Sequence, residues 1–180
     1  MNDAKAYLAI AGIDCMQIGM LQKMGYFEKP ASRNHHLKGY GGLARHSANV
    51  TRRLVELTNC LKVKWPRDES PYLVGMLHDL VKCRCYRLMG ESCGKPVWEY
   101  VQPEYPGHGI CSVAIAAEMG IRLQKEEIVA ITYHMGLYNV EKEYTSKEFD
   151  NALKDHAQQV LATCLADWWA ARIDEEGVWQ

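Results

Sequence analysis

An imidazole and a carboxylate stand side by side in an apolar run, Gly75-Met76-Leu77-His78-Asp79-Leu80-Val81-Lys82. Val74, Leu77, Leu80 and Val81 recur at helical spacing, which predicts a buried helix over about 71–83. A buried polar group without a partner costs roughly 2–7 kcal/mol, so His78 and Asp79 need partners. Adjacent helical positions point about 100° apart. The pair therefore serves two partners or straddles one centre, and a metal ion would satisfy both residues. Four further side chains of ligand type are spread along the chain. His46 lies four residues before Val50 and faces inward with it. His108 opens a helix, His134 lies near the end of another, and Asp167 follows Cys164 by three residues within an apolar face. Any one of these is an ordinary core polar residue. Six on five separate elements are hard to explain in that way.

The elements that must position these residues are helical. The pattern predicts a short helix over 4–11, ended by Gly12, and a second from the cap Asp14 to Met24 with Met16, Met20, Leu21 and Met24 in the core. Pro30 and the glycines at 39, 41 and 42 make 28–43 a loop, which carries His35, His36, Lys29, Arg33 and Lys38. A long helix over 43–61 has Val50, Leu54, Val55, Leu57 and Leu61 as its apolar stripe. Aromatic and β-branched residues around Gly90 and Gly94 predict a hairpin. Helices follow to about 118 and over 124–135, with irregular stretches at 103–109 and 137–146. The last helix spans about 147–173, with Val160, Leu161, Cys164, Leu165, Trp168 and Trp169 as its buried face and His156 at the surface. The expectation is one all-α domain over 1–180, with a core over about 30–172 and a helical extension over 1–29.

Composition narrows the function classes. A formal net charge of −1 argues against a protein that grips long nucleic acid through bulk electrostatics. No apolar run approaches the roughly 18 residues of a membrane span, and Met1-Asn2-Asp3-Ala4-Lys5 does not look like a signal peptide. A cytoplasmic protein with free thiols at its seven cysteines is the expectation.

One His, a His-Asp dyad and a distal Asp, each on a core helix, resemble the HD-domain superfamily of metal-dependent phosphohydrolases. His46, His78-Asp79 and Asp167 match that pattern, and His108 and His134 match the extra histidines of its two-metal branch. The segment Pro30-Ala31-Ser32 … His35-His36 … Gly41-Gly42-Leu43 … His46-Ser47 is similar to the entry segment of HD proteins of bacterial and phage origin. The resemblance implies a single HD-type helical bundle of six or seven helices with one small β-hairpin. It also implies one or two divalent transition-metal ions (manganese, iron, zinc or nickel). Asp79 would bridge them, with His46, His78 and Asp167 on one and His108 and His134 on the other. Mixed nitrogen and oxygen ligands suit these metals better than magnesium alone.

The implied activity is hydrolysis of a nucleotide or other small phosphoester by a metal-activated hydroxide. Asp79, Lys82 and His36 are the candidate catalytic residues. Lys82 and Arg45 are the candidate phosphate contacts, with Lys82 on the same side of the helix as His78. Arg172, five residues past Asp167, points away to the surface. The chain lacks the Gly-Tyr-Pro motif of the cyclic-di-GMP branch and the long basic loop of guanosine tetraphosphate hydrolases. Two alternatives keep the same ligands: a di-iron HD oxygenase and a non-catalytic, metal-stabilised binding module. Oligomeric state is left open.

Overall fold

The computed structural model describes residues 2–103, 107–139 and 144–175. Parts of the two expected irregular stretches, 104–106 and 140–143, lie outside the described residues, as does the end of the chain over 176–180. The order is α1 (Asn2–Ile10), α2 (Cys15–Lys23), α3 (Gly42–Leu61), α4 (Ser70–Leu77), one-turn α5 (Lys82–Cys85), β1 (Tyr86–Ser92), β2 (Lys95–Tyr100), α6 (His108–Glu118), α7 (Lys125–Thr132) and α8 (Ser146–Trp169). A 3₁₀ turn (Gly136–Asn139) precedes α8, and a π-helical turn (Ala170–Asp174) extends it. The all-α architecture with one small hairpin is as expected.

Local chemistry explains most of the boundaries. Asp14 accepts from Gln17 N at 2.8 Å while Gln17 accepts from Asp14 N at 3.1 Å, a reciprocal capping box that starts α2. Thr145 and Glu148 repeat the device at the start of α8. Cys93 and Gly94, both at positive φ, form the two-residue turn that joins β1 to β2 with the strand twist a hairpin needs. Glu127, buried in the first turn of α7, accepts from Arg67 at 2.7 and 2.8 Å and from Ser70 Oγ at 2.7 Å. That network ties α7 to the start of α4.

Leu8, Leu21, Tyr26, Leu43, Leu54, Leu77, Ile115 and Ile131 belong to one core cluster. Residues of α1 and α2 are members of it, and Tyr26 Oη donates to Met76 O at 2.6 Å. Two glycines set the closest helix approaches. A Cβ at Gly75 would lie 2.6 Å from Thr51 Cα, so α4 crosses α3 nearly backbone to backbone. A Cβ at Gly109 would lie 2.3 Å from Thr132 O, which seats the start of α6 on the end of α7. Among the described residues no helix is long and apolar enough to cross a membrane.

Several expectations fail on helix ends and faces. The dyad helix closes at Leu77 rather than 83. Leu80 N, Lys82 N, Cys83 N and Arg84 N then bond to carbonyls three residues back, so the segment tightens to 3₁₀ spacing. Met16 is exposed, and of the expected methionine face only Leu21 is fully buried. His156 is buried, not solvated, and its φ of −130° kinks α8. The largest difference concerns the face of α8. It buries Phe149, Ala152, His156, Gln159, Val160, Ala162, Thr163 and Ala166. Leu161, Leu165 and Trp168 stand 52%, 41% and 69% exposed, and Trp169 is also exposed. Small side chains permit the close approach of α8 to α3 and α7, which leaves the large ones on the other side.

Candidate metal centre

Five elements deliver the six ligand-type residues to one place. α3 carries His46 in the middle of its buried face. The Gly75 contact brings α4 so close that His78 Nε2 lies 3.4 Å from His46 Nε2. The Gly109 contact brings His108, at the start of α6, near His134, just past the end of α7, with ring centroids 5.5 Å apart. α8 supplies Asp167, whose Oδ1 lies 3.0 Å from His46 Nε2 and 3.8 Å from His78 Nε2.

Asp79 sits among them with its two oxygens divided. Oδ2 lies 3.4 Å from both His46 Nε2 and His78 Nε2, and Oδ1 lies 2.6 Å from His108 Nε2 and 3.7 Å from His134 Nε2. The 3.0 and 3.4 Å separations among His46, His78, Asp79 and Asp167 fit donors around a common cation, since ligands at about 2.1 Å in tetrahedral or octahedral array stand roughly 3.0–3.4 Å apart, while the 2.6 Å between His108 and Asp79 is a hydrogen bond. Lys82 Nζ reaches Asp79 Oδ2 at 2.5 Å. Lys82 thus pairs with Asp79 and does not share the side of His78, because 3₁₀ spacing eclipses residues three apart.

The outer nitrogens of the rings are already engaged. His78 Nδ1 donates to Gly75 O at 2.8 Å and His134 Nδ1 to Ile131 O at 2.7 Å, each to the carbonyl three residues back. His46 Nδ1 donates to both Glu175 oxygens at 3.1 Å. These bonds place a proton on each Nδ1 and aim each Nε2 at the cluster, the second-layer arrangement of metal-bound histidine. His46 Nε2 lies 3.4 Å from His78 Nε2 and 3.0 Å from Asp167 Oδ1, a gap that either a proton on His46 or a cation would fill. His134 Nε2 is buried with no hydrogen-bond partner, its 3.7 Å to Asp79 being too long for one. The donor set therefore fits one or two cations of borderline softness, held by His46, His78, Asp79, His108, His134 and Asp167.

The electrostatics are those of a charged buried cluster. Burial raises the Asp79 carboxyl, but Lys82, His78, His108 and His134 outweigh it and hold it well below the usual carboxylate range. Asp167 is lowered against burial by His46, with His78 and His134 adding to it. Burial lowers His46, yet Asp167, Asp79 and Glu175 raise it well above its ordinary value. In the metal-free protein a proton on His46 thus stands in for a cation. Lys82 is raised by Asp79 in spite of burial.

Glu175 is the residue that the sequence did not reveal. The π-helical turn brings it back to α3, where Asn49 Nδ2 donates to it at 2.9 Å, and His36 Nδ1 also pairs with it. Burial raises its carboxyl, but His36, His46 and Asn49 lower it to about 2. Asp174 beside it is clamped by Arg53 at 2.5 and 2.8 Å and by Arg52 at 3.0 Å. The core thus continues past 172 to Glu175. Acidic residues at the end of a predicted helix look like solvated polarity, and nothing local marks them as inward.

A cavity of about 970 Å³ opens onto this floor. His36, His46, Asp79, Lys82, His134 and Asp167 line its inner end, and Leu161, Leu165, Trp168 and the exposed Arg172 line its α8 side. Arg45 does not join them: it is exposed on α3 and is not part of the lining. No family model, curated protein or solved structure matches this chain.

Proposed function

We propose that the protein is a metal-dependent phosphohydrolase of the HD type, acting on a nucleotide or other small phosphoester. The observation that carries this reading is the division of Asp79 between two histidine groups, Oδ2 towards His46 and His78 and Oδ1 towards His108 and His134. A carboxylate that faces two ligand groups at once is what a pair of cations requires of its bridge. Two such ions bring +4 to a set of four neutral imidazoles and two carboxylates, so the floor keeps about +2 and attracts phosphate.

Bound there, divalent cations supply a nucleophile at neutral pH and offset the charge that builds on the phosphoryl oxygens. The chain's own residues do the rest. His46, His78, His108 and His134 present Nε2 in fixed directions because their rings are packed and three of them are held at Nδ1. Lys82 places an ammonium beside Asp79 at the cavity's inner end, where it neutralises phosphate charge. His36, held at Nδ1 by Glu175, lines the cavity and is assigned the transfer of a proton to the leaving oxygen.

The test is metal content by elemental analysis, followed by a phosphoester panel with manganese, on the wild type and on the double variant His108→Ala, His134→Ala. About two ions per chain, falling towards one in the variant with loss of turnover, is expected. No metal in the wild type, or metal unchanged in the variant, would overturn the assignment. Oxygen consumption with iron bound and no phosphoester turned over would favour oxygenase chemistry instead.

A further inference from the structure

The inner end of the cavity is polar, whereas the side formed by α8 is largely apolar, with Asp150 and Arg172 as its charged members. Phe149, Leu153, Leu161, Leu165 and Trp168 line that side, and Leu137 stands 77% exposed on the 3₁₀ turn that also lines it. Leu161, Leu165 and Trp168 are likewise exposed, so four large apolar side chains that line one space are left open to it. An apolar patch that adjoins a polar floor is the form of a ligand site rather than of a leftover surface. Cys164 adds no polar handle: its thiol is spent on Tyr133 O and is pushed up to about 12 by burial. A nucleoside laid along Leu161, Leu165 and Trp168 would set ribose hydroxyls and base edges against side chains that offer them no acceptor, and each unpaired group weakens binding. The volume, about 970 Å³, also exceeds what a phosphate and a few carbons fill.

We infer that the site, read as the phosphoester hydrolase proposed above, takes monoesters whose organic group is hydrophobic and uncharged, with the phosphate on the His/Asp floor and the alkyl or aryl group along α8. In the reaction the water oxygen bonds to phosphorus and the bond from phosphorus to the alcohol oxygen breaks. One water proton ends on that oxygen, so inorganic phosphate and the free alcohol leave.

The experiment uses the full chain loaded with manganese and a series of primary alkyl phosphates from ethyl to octyl, whose leaving groups have nearly the same acidity. Adenosine and uridine monophosphates are assayed beside them, and the matching alkyl phosphonates, which are not hydrolysed, are titrated by calorimetry. The expected result is a rise in kcat/KM and in phosphonate affinity of roughly three- to four-fold per methylene until the wall is covered. Leu161→Ser with Leu165→Ser flattens both slopes, while Leu61→Ser, at an exposed site that does not line the cavity, leaves them unchanged. Slopes near zero, or nucleotides turned over faster than octyl phosphate, overturn the inference. If no ester is cleaved while phosphonate affinity still climbs along the series, the hydrolase reading falls and the wall stands as a site for hydrophobic phosphoryl ligands.

Discussion

α3 and α8 each bring one ligand-type side chain to the same floor, and they are built on opposite terms. α3 is regular from Gly42 to Leu61, and it buries Val50 and Leu54 beside His46. α8 departs from α geometry twice, at His156 and in the π turn, and it sends its small residues inward and Leu161, Leu165 and Trp168 outward. A helix enclosed by the core can spend its large side chains on packing. A helix that walls a cavity packs its neighbours with small ones and leaves the large ones to the cavity. Apolar character alone does not say which side is in; the distance of approach does.

The largest effect should come from the residue at the centre of that floor. Asp79→Asn removes the charge that faces all four histidines, and several kcal/mol of stabilisation go with it, so phosphoester turnover should fall roughly a thousand-fold. Turnover within about ten-fold of wild type would show that Asp79 is a structural acid.

The contrast between the helices is tested directly by matched truncations. Leu54→Ala on α3 should cost about 2–5 kcal/mol in urea unfolding. Leu165→Ala on α8 should cost less than about 0.5 kcal/mol. Equal costs would mean that the α8 face packs as a core.

Glu175 sharpens the comparison, because it lets the broken end of α8 act on the regular helix. Glu175→Ala should leave His46 Nδ1 without its acceptor and weaken manganese binding roughly 10- to 100-fold, read by competition with a fluorescent chelator. Unchanged affinity would make Glu175 a clamp for the chain and nothing more.

The pH dependence of the metal-free protein should show both signs. Asp79, Asp167, Asp174 and Glu175 are lowered in the fold, so their contribution is present above about 4.5 and is lost progressively as pH falls below that, Glu175's as pH nears about 2. His46 is raised, so its contribution is complete below 6.5 and fades as pH rises through its folded value. Thermal unfolding in chelator should therefore be highest between about pH 4.5 and about pH 6.5, and manganese should remove the alkaline decline by replacing the proton. A decline that manganese leaves untouched would place its cause elsewhere.

The clamp contributes little. Arg53→Ala should cost about 1 kcal/mol or less, since the guanidinium is partly exposed where it meets Asp174.

Residue type and spacing along the chain picked out the six inward ligand-type residues, the hairpin and the Asp14 cap, because each is a local signal: a helical face, a turn pair, a reciprocal hydrogen bond. The i−3 carbonyls that orient His78 and His134 were local too, yet they depended on where α4 and α7 end, and apolar periodicity ran past both ends. The pattern puts Lys82 on the dyad helix and beside the wrong neighbour for the same reason, since a 3₁₀ turn and an α-turn carry the same apolar residues, and Lys82 instead opens α5. Glu175, the outward face of α8 and the exclusion of Arg45 were beyond any local signal. Glu175 meets His46 across 129 positions, and its role exists only because a π turn redirects the chain. The sequence by itself determined which ligand-type side chains turn inward and that helices carry them. Tertiary structure decided which atoms meet and what faces the cavity, since both depend on how closely backbones approach, at Gly75 and Gly109 above all.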